Sequence, residues 1–128
     1  MIYYLTLGTN DLPRATVFYD PVMATLGLSR ILTADSDIGY GSPGDANPSL
    51  YVLTPFDGAA ASHGNGTMVA LTAPTRAAVA AFHSAALSSG GTDEGAPGLR
   101  YSANFYSCYV RDPDGNKLSA VCTLPQEE

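Results

Sequence analysis

Few side chains in this 128-residue chain have the types and spacing that chemistry needs, and they are dispersed. The two histidines, His63 and His83, have no carboxylate or cysteine in a clear constellation that would make either a general base. Cys108 and Cys122 lack the further Cys or His of a zinc site and read as buried free thiols in a reducing compartment. Gly8, Gly64 and Gly66 do not space a phosphate loop, and no Lys follows them. Hydroxyls and aromatic rings remain. The stretch RDPDGNKLSAVC, Arg111 to Cys122, turns at Pro113 to Asn116 and then alternates, so Lys117, Ser119 and Val121 share one face of a strand. In the run NFYSCY, Tyr106 and Cys108 share one side while Phe105, Ser107 and Tyr109 share the other, and one of these sets is expected to reach a cavity. Tyr51, Arg100, Tyr101 and Tyr106 are taken as candidate pocket residues, because aromatic walls with a few polar groups suit a small molecule. Arg100 is able to hold a carboxylate or phosphate, or to stand solvated in a loop. Cross-strand packing, which needs no ligand, accounts for many tyrosines equally well.

The elements that must position these groups repeat. Ile2 to Gly8 reads as a strand, Asn10 or Asp11 caps a helix with Pro13 in its first turn, and Gly27 stops it. Pro21 removes one helical hydrogen bond and is expected to kink or shift that helix. Strands follow near 28–34, 37–41 and 49–54. The pattern then restarts. Thr67 to Ala73 is a strand, Thr75 caps a helix to about Ser89, and Gly90-Gly91 end it. Further strands are expected near 92–95, 103–110 and 117–123. A shift of about 64 residues aligns Leu7 with Leu71, Phe18 with Phe82 and Gly27 with Gly91. Each half reads βαβββ, the first over 1–58 and the second over 67–128, joined by the small, flexible segment 59–66.

Two βαβββ units in this length resemble the vicinal-oxygen-chelate superfamily of glyoxalases, bleomycin resistance proteins and extradiol dioxygenases. The stretches YYLTLGTNDLPRATVFYDPVMATLGL, GNGTMVALTAPTRAAVAAFHSAALSSGG and FYSCYVRDPDGNKLSAVC carry the likeness. It implies an α+β fold, with curved, mixed but mainly antiparallel sheets around a cavity and the helices outside. It also implies a divalent metal held by two His and a Glu, with a fourth ligand near 49–53. Carried over position by position, the three fall on Tyr4, Met68 and Ser119. None is a good ligand for such an ion, so neither a metal nor another cofactor is expected. Those three side chains then either line a metal-free pocket or merely fill a collapsed interior.

Charge bounds the partners. Six Lys and Arg against twelve Asp and Glu give a net charge of −6, which argues against nucleic acid and is compatible with a cationic ligand. No basic leader or long apolar run precedes the first strand, so no signal peptide or membrane span is expected and the cytoplasm is the expected location. The expected function is small-molecule binding, with a lyase, isomerase or dioxygenase of atypical site as the alternative. A homodimer is expected, because relatives pair to complete their cavities and edge strands invite it.

Overall fold

The computed structural model describes residues 1–126. The chain runs β1 (Leu5–Gly8), α1 (Leu12–Ala24), β2 (Ser29–Thr33), β3 (Asp37–Gly41), β4 (Leu50–Leu53), then β5 (Met68–Thr72), α2 (Arg76–Ser88), β6 (Thr92–Leu99), β7 (Tyr106–Arg111) and β8 (Lys117–Cys122). Two mixed four-stranded sheets result, in the orders β1-β4-β3-β2 and β5-β8-β7-β6. In each, only the first strand pairs in parallel, β1 with β4 and β5 with β8. The α+β class and the two βαβββ units are therefore present. The sheets are not closed into a barrel.

Local chemistry sets the helix bounds. Asp11 accepts from the Arg14 N–H at 3.0 Å and caps α1, and the Thr75 hydroxyl accepts from Ala78 N–H at 3.0 Å and caps α2. Each satisfies an N–H that the helix leaves without a partner. Helix α1 runs on unbroken through Pro21, with no N–H at that position to offer the preceding turn. Packing outweighs that loss, since Phe18, Tyr19, Val22 and Met23 on this helix are fully buried. Gly27 and Gly90, at φ 76° and 103°, take the left-handed conformation just past the helix ends. Gly91 serves a different purpose from Gly27. A Cβ there would lie 2.8 Å from the Phe18 ring and 2.7 Å from the Arg111 carbonyl, so its bareness lets the two units approach.

Each helix covers one face of its own sheet. Leu7, Ile38, Tyr40, Leu50 and Val52 lie under α1, and Cys108, Val110, Leu118 and Ala120 lie under α2 with Val79, Phe82 and Ala86. Burying each large apolar side chain contributes about 2 kcal/mol. The other face of each sheet is uncovered by any helix and is called the open face below. Between the units, α1 packs on α2, and the two sheets do not pair strand to strand, although Leu71 of β5 shares a pocket wall with Leu5, Tyr40 and Leu50 of the first sheet. Among the described residues, no helix is long and apolar enough to cross a membrane.

A second tie crosses between the units at the turn after β7. The Asp112 carboxylate is buried and accepts from Tyr19 Oη at 2.5 Å, Asn116 Nδ2 at 2.8 Å, and the backbone N–H groups of Asp114 and Asn116. Asp114 accepts from Thr9 Oγ1 at 2.6 Å, the Asn10 N–H and Arg14 Nη2. Asn116 Nδ2 also donates to the Gly8 carbonyl at 3.0 Å. Gly115, at φ 90°, turns the chain, and the ring of His63 packs so closely there that a Cβ would meet it at 2.6 Å.

Candidate functional site

Strand register decides which side chains meet on the open face of the second sheet. Tyr109 pairs with Ser119, Ser107 with Val121 and Arg111 with Lys117 across β7 and β8, while Ala70 and Met68 on β5 pair with Ser119 and Lys117. Cross-strand partners point to the same side, so Met68, Ala70, Ser107, Tyr109, Lys117, Ser119 and Val121 share that face. Their alternates Val69, Cys108, Val110, Leu118 and Ala120 are all buried in the core.

Ser119 is fully buried on this face, and its Oγ has no hydrogen-bond partner among the described residues. Such an orphaned hydroxyl costs about 1–3 kcal/mol. Next to it, the Tyr109 ring has two cations against it, with Arg100 Cζ 5.0 Å and Lys117 Nζ 5.6 Å from its centroid. Arg100 is held by backbone carbonyls, Nη1 donating to Ser107 O at 2.5 Å and Nη2 to Ala96 O at 2.7 Å. Gly95 makes this possible, because a Cβ there would lie 2.9 Å from the Tyr109 ring and 3.1 Å from Arg100 Nη2. A cleft of about 270 Å³ adjoins, with Ala70, Phe105 and Val121 in its wall.

On the first sheet, β1 and β4 register Thr6 with Tyr51, and the open face carries Tyr4 and Tyr51 with their rings 5.2 Å apart, edge to face. Tyr4 is 52% exposed and Met68 42%, so neither fills a collapsed interior of this chain. Linker and loop cover part of that face. Ala61 sits 3.0 Å from where a Gly8 Cβ would be, and Pro48 occupies the space above Gly39.

The sequence-predicted residues thus divide. Tyr4 and Tyr51 are brought together on one sheet, and Met68, Ser119 and Arg100 on the other. Tyr106 joins neither group: it packs on the core side of its sheet, where Arg76 of α2 lies 5.3 Å from its ring centroid. Of the two alternating sets, it is Ser107 and Tyr109 that share the face of Ser119. Tyr101 is 89% exposed at the β6–β7 connection, against Phe105, with a left-handed φ of 64°. Lys117 lies on the face of Ser119, as alternation predicts, whereas its ring partner Tyr109 is eight residues away in sequence and becomes its neighbour only through the hairpin. His83 gains a carboxylate that was not foreseen. Its Nε2 lies 2.8 Å from Asp93 Oδ1, and that contact, followed by the Gly95 N–H, holds the Asp93 carboxyl below its ordinary range. The pair stands outside the open face, since Asp93 is the register partner of Val110, a core residue.

The positions to which the resemblance assigns a metal do not suit one. A thioether is too soft for the hard divalent ions, and neutral phenol and alcohol hydroxyls are weak donors to them. Among the described residues, no group of three or more His, Cys, Asp or Glu is placed to hold an ion. Cys108 and Cys122 are free and buried on the core side.

Comparison with known proteins agrees with this architecture. The family model described as the Glyoxalase/Bleomycin resistance protein/Dioxygenase superfamily matches residues 2–119. A glyoxalase/bleomycin resistance protein from Albidiferax ferrireducens T118 is 37% identical, with a TM-score of 0.82 over 92% of this chain and 94% of that one. A glyoxalase/bleomycin resistance protein/dioxygenase family enzyme from Burkholderia phytofirmans PsJN is 19% identical, with a TM-score of 0.73 over 96% and 98% of the two chains. A lactoylglutathione lyase from Agrobacterium tumefaciens is 21% identical, with a TM-score of 0.65 over 94% and 92%. These last two show the fold alone. No curated protein sequence matches. With the family model spanning nearly the whole chain and the βαβββ units in place, this protein belongs to the glyoxalase/bleomycin resistance protein/dioxygenase superfamily.

Proposed function

We propose that this protein binds a small molecule on the open faces of its sheets and does so without the divalent metal of its enzymatic relatives. The observation that carries the reading is Ser119: a fully buried hydroxyl with no partner, at the position where the family resemblance puts a metal-binding carboxylate. Buried polar groups are normally paired, so this orphan is a hydrogen-bond donor that lacks an acceptor. A ligand or an ordered water supplies one.

The site is incomplete in one chain. Tyr4 and Tyr51 sit on a sheet that does not pair with the sheet bearing Met68 and Ser119. A homodimer in which one protomer's first sheet adjoins its partner's second sheet edge to edge, with their open faces side by side, would unite them. Strands β1 and β5 each stand at the end of their sheet and offer the unpaired edges for it. The free thiols are consistent with a cytoplasmic location.

Elemental analysis after incubation with Zn²⁺, Mn²⁺ and Fe²⁺ tests the metal-free reading. Substoichiometric metal is expected, and Tyr4→His, Met68→His and Ser119→Glu introduced together are expected to create a site. One tightly held equivalent in the unmodified protein, lost on changing Ser119, would instead establish a metalloenzyme. Light scattering tests the pairing: a dimer mass is expected, and a monomer mass at every concentration counts against it.

A further inference from the structure

The ligand's charge follows from how the cations are distributed. Three of the six are matched to carboxylates: Arg14 to Asp114, Arg30 to Asp20 and Arg111 to Glu94. The other three, Arg76, Arg100 and Lys117, the chain's one lysine, have no carboxylate partner among the described residues, although the chain has twice as many acids as bases; Arg76 lies on the core side against Tyr106. Arg100 and Lys117 lie against Tyr109 on the open face.

The nearest acids are engaged elsewhere. Asp93 is held by His83 and the Gly95 N–H, and Glu94 by Arg111. Arg100's bonds to the Ser107 and Ala96 carbonyls orient its guanidinium, and although its charge is felt by Asp93, no carboxylate bonds it, its Nε having no partner among the described residues. A guanidinium held by carbonyls is ready to receive an anion with little reorganisation. Gly95 keeps the room in which the guanidinium and the ring stack. Ser119, register partner of both Ala70 and Tyr109, adds a neutral hydroxyl to the same face, where Ala70, Phe105 and Val121 wall a cleft.

We propose that the open face of the second sheet binds a small organic carboxylate, its anionic group beside Tyr109 at Arg100 and Lys117 and its apolar body in the cleft walled by Ala70, Phe105 and Val121. The inference rests on the small-molecule reading above and assigns that ligand a charge opposite to the one the protein's net charge suggests. Long-range field and local site differ in sign here, because Asp93 and Glu94 on the neighbouring strand are engaged by His83 and Arg111.

Phenylacetate, phenylacetamide, phenethylammonium and inorganic phosphate serve as probes, followed through the backbone amides of residues 107–109 and 117–121 by NMR titration of the intact protein. Phenylacetate is expected to shift them saturably, with phenylacetamide and phenethylammonium at least about tenfold weaker. Lys117→Gln and, separately, Arg100→Gln should each weaken phenylacetate by about tenfold and leave phenylacetamide unchanged, with thermal melts confirming that the variants fold. Arg30→Gln, at a surface pair, should alter neither. Equal binding of phenylacetate and phenylacetamide, indifferent to Lys117, overturns the charge assignment and leaves the small-molecule reading standing. Phosphate binding as well as phenylacetate overturns the organic acid in favour of a simple anion. No shift of these amides with any probe overturns both.

Discussion

Two buried polar groups seven residues apart in one stretch behave in opposite ways. Asp112 accepts four hydrogen bonds, from Tyr19, Asp114 and Asn116, whereas the Ser119 hydroxyl has no partner among the described residues. Both are out of solvent, so desolvation acts on each. The difference lies in who supplies the compensation. For Asp112 the chain itself does, and the result is mechanical: α1 of the first unit is tied to the turn that sets the register of β8. For Ser119 the chain supplies nothing. A fully satisfied group marks architecture, and an unsatisfied one on an open face marks a place prepared for something else.

Removing the satisfied group should have the largest effect. Asp112→Ala strands the Tyr19 hydroxyl, one hydrogen of the Asn116 amide and two backbone N–H groups, and should destabilise the protein by about 3–4 kcal/mol. Urea unfolding measures it. A loss under 1 kcal/mol would mean that the turn does not hold the units together and that the contrast with Ser119 is empty.

The same tie predicts alkaline sensitivity. Burial, foremost, and the neighbouring Asp112 push the Tyr19 hydroxyl well above its ordinary value of 10.0, and burial followed by the hydrogen bond to Asp20 raises Tyr40 as well. A group raised in the folded state contributes stability that is fully present below the unfolded value and is lost as pH rises toward the folded one. Unfolding free energy should therefore fall above about pH 10, by roughly 1.4 kcal/mol per pH unit for each tyrosine. Tyr19→Phe and Tyr40→Phe should each flatten that slope in denaturant titrations at pH 9 to 11.5, and an unchanged slope in both would show that other groups control alkaline unfolding.

Local grammar made most of the fold legible. Shifted by 64, α1 lands on Arg76–Ser88, the observed bounds of α2, because caps, apolar stripes and stop glycines act within a few residues. The correspondence slips after the helices, where loop lengths differ between the units. Strand β1 begins at Leu5 rather than Ile2, since pairing with β4 starts there. Alternation separated Tyr106 from Tyr109 correctly but could not say which face a helix would cover, a decision made by α2 packing on Cys108 and Val110. Arg100 and Lys117 meeting around Tyr109, like His83 meeting Asp93, depends on tertiary placement with no short-range signal. The expected closure of both sheets around one cavity involves contacts between units, about which a repeat says little.

The smallest effect on stability is the sharpest test of the comparison. Ser119→Ala deletes a hydroxyl that has no partner to lose, so it removes a desolvation penalty and leaves a methyl-sized side chain among Ala70, Tyr109 and the strand backbone. The expected change in unfolding free energy runs from zero to about 1 kcal/mol of stabilisation, a rise of up to roughly 5 °C in Tm. Phenylacetate binding by the same variant should weaken, because the hydroxyl would then be acting on the ligand and not on the fold. Calorimetry with and without phenylacetate separates the two contributions in one experiment. A destabilisation above 1 kcal/mol in the free protein would show that Ser119 already has a partner, such as a buried water, and would move it into the same class as Asp112.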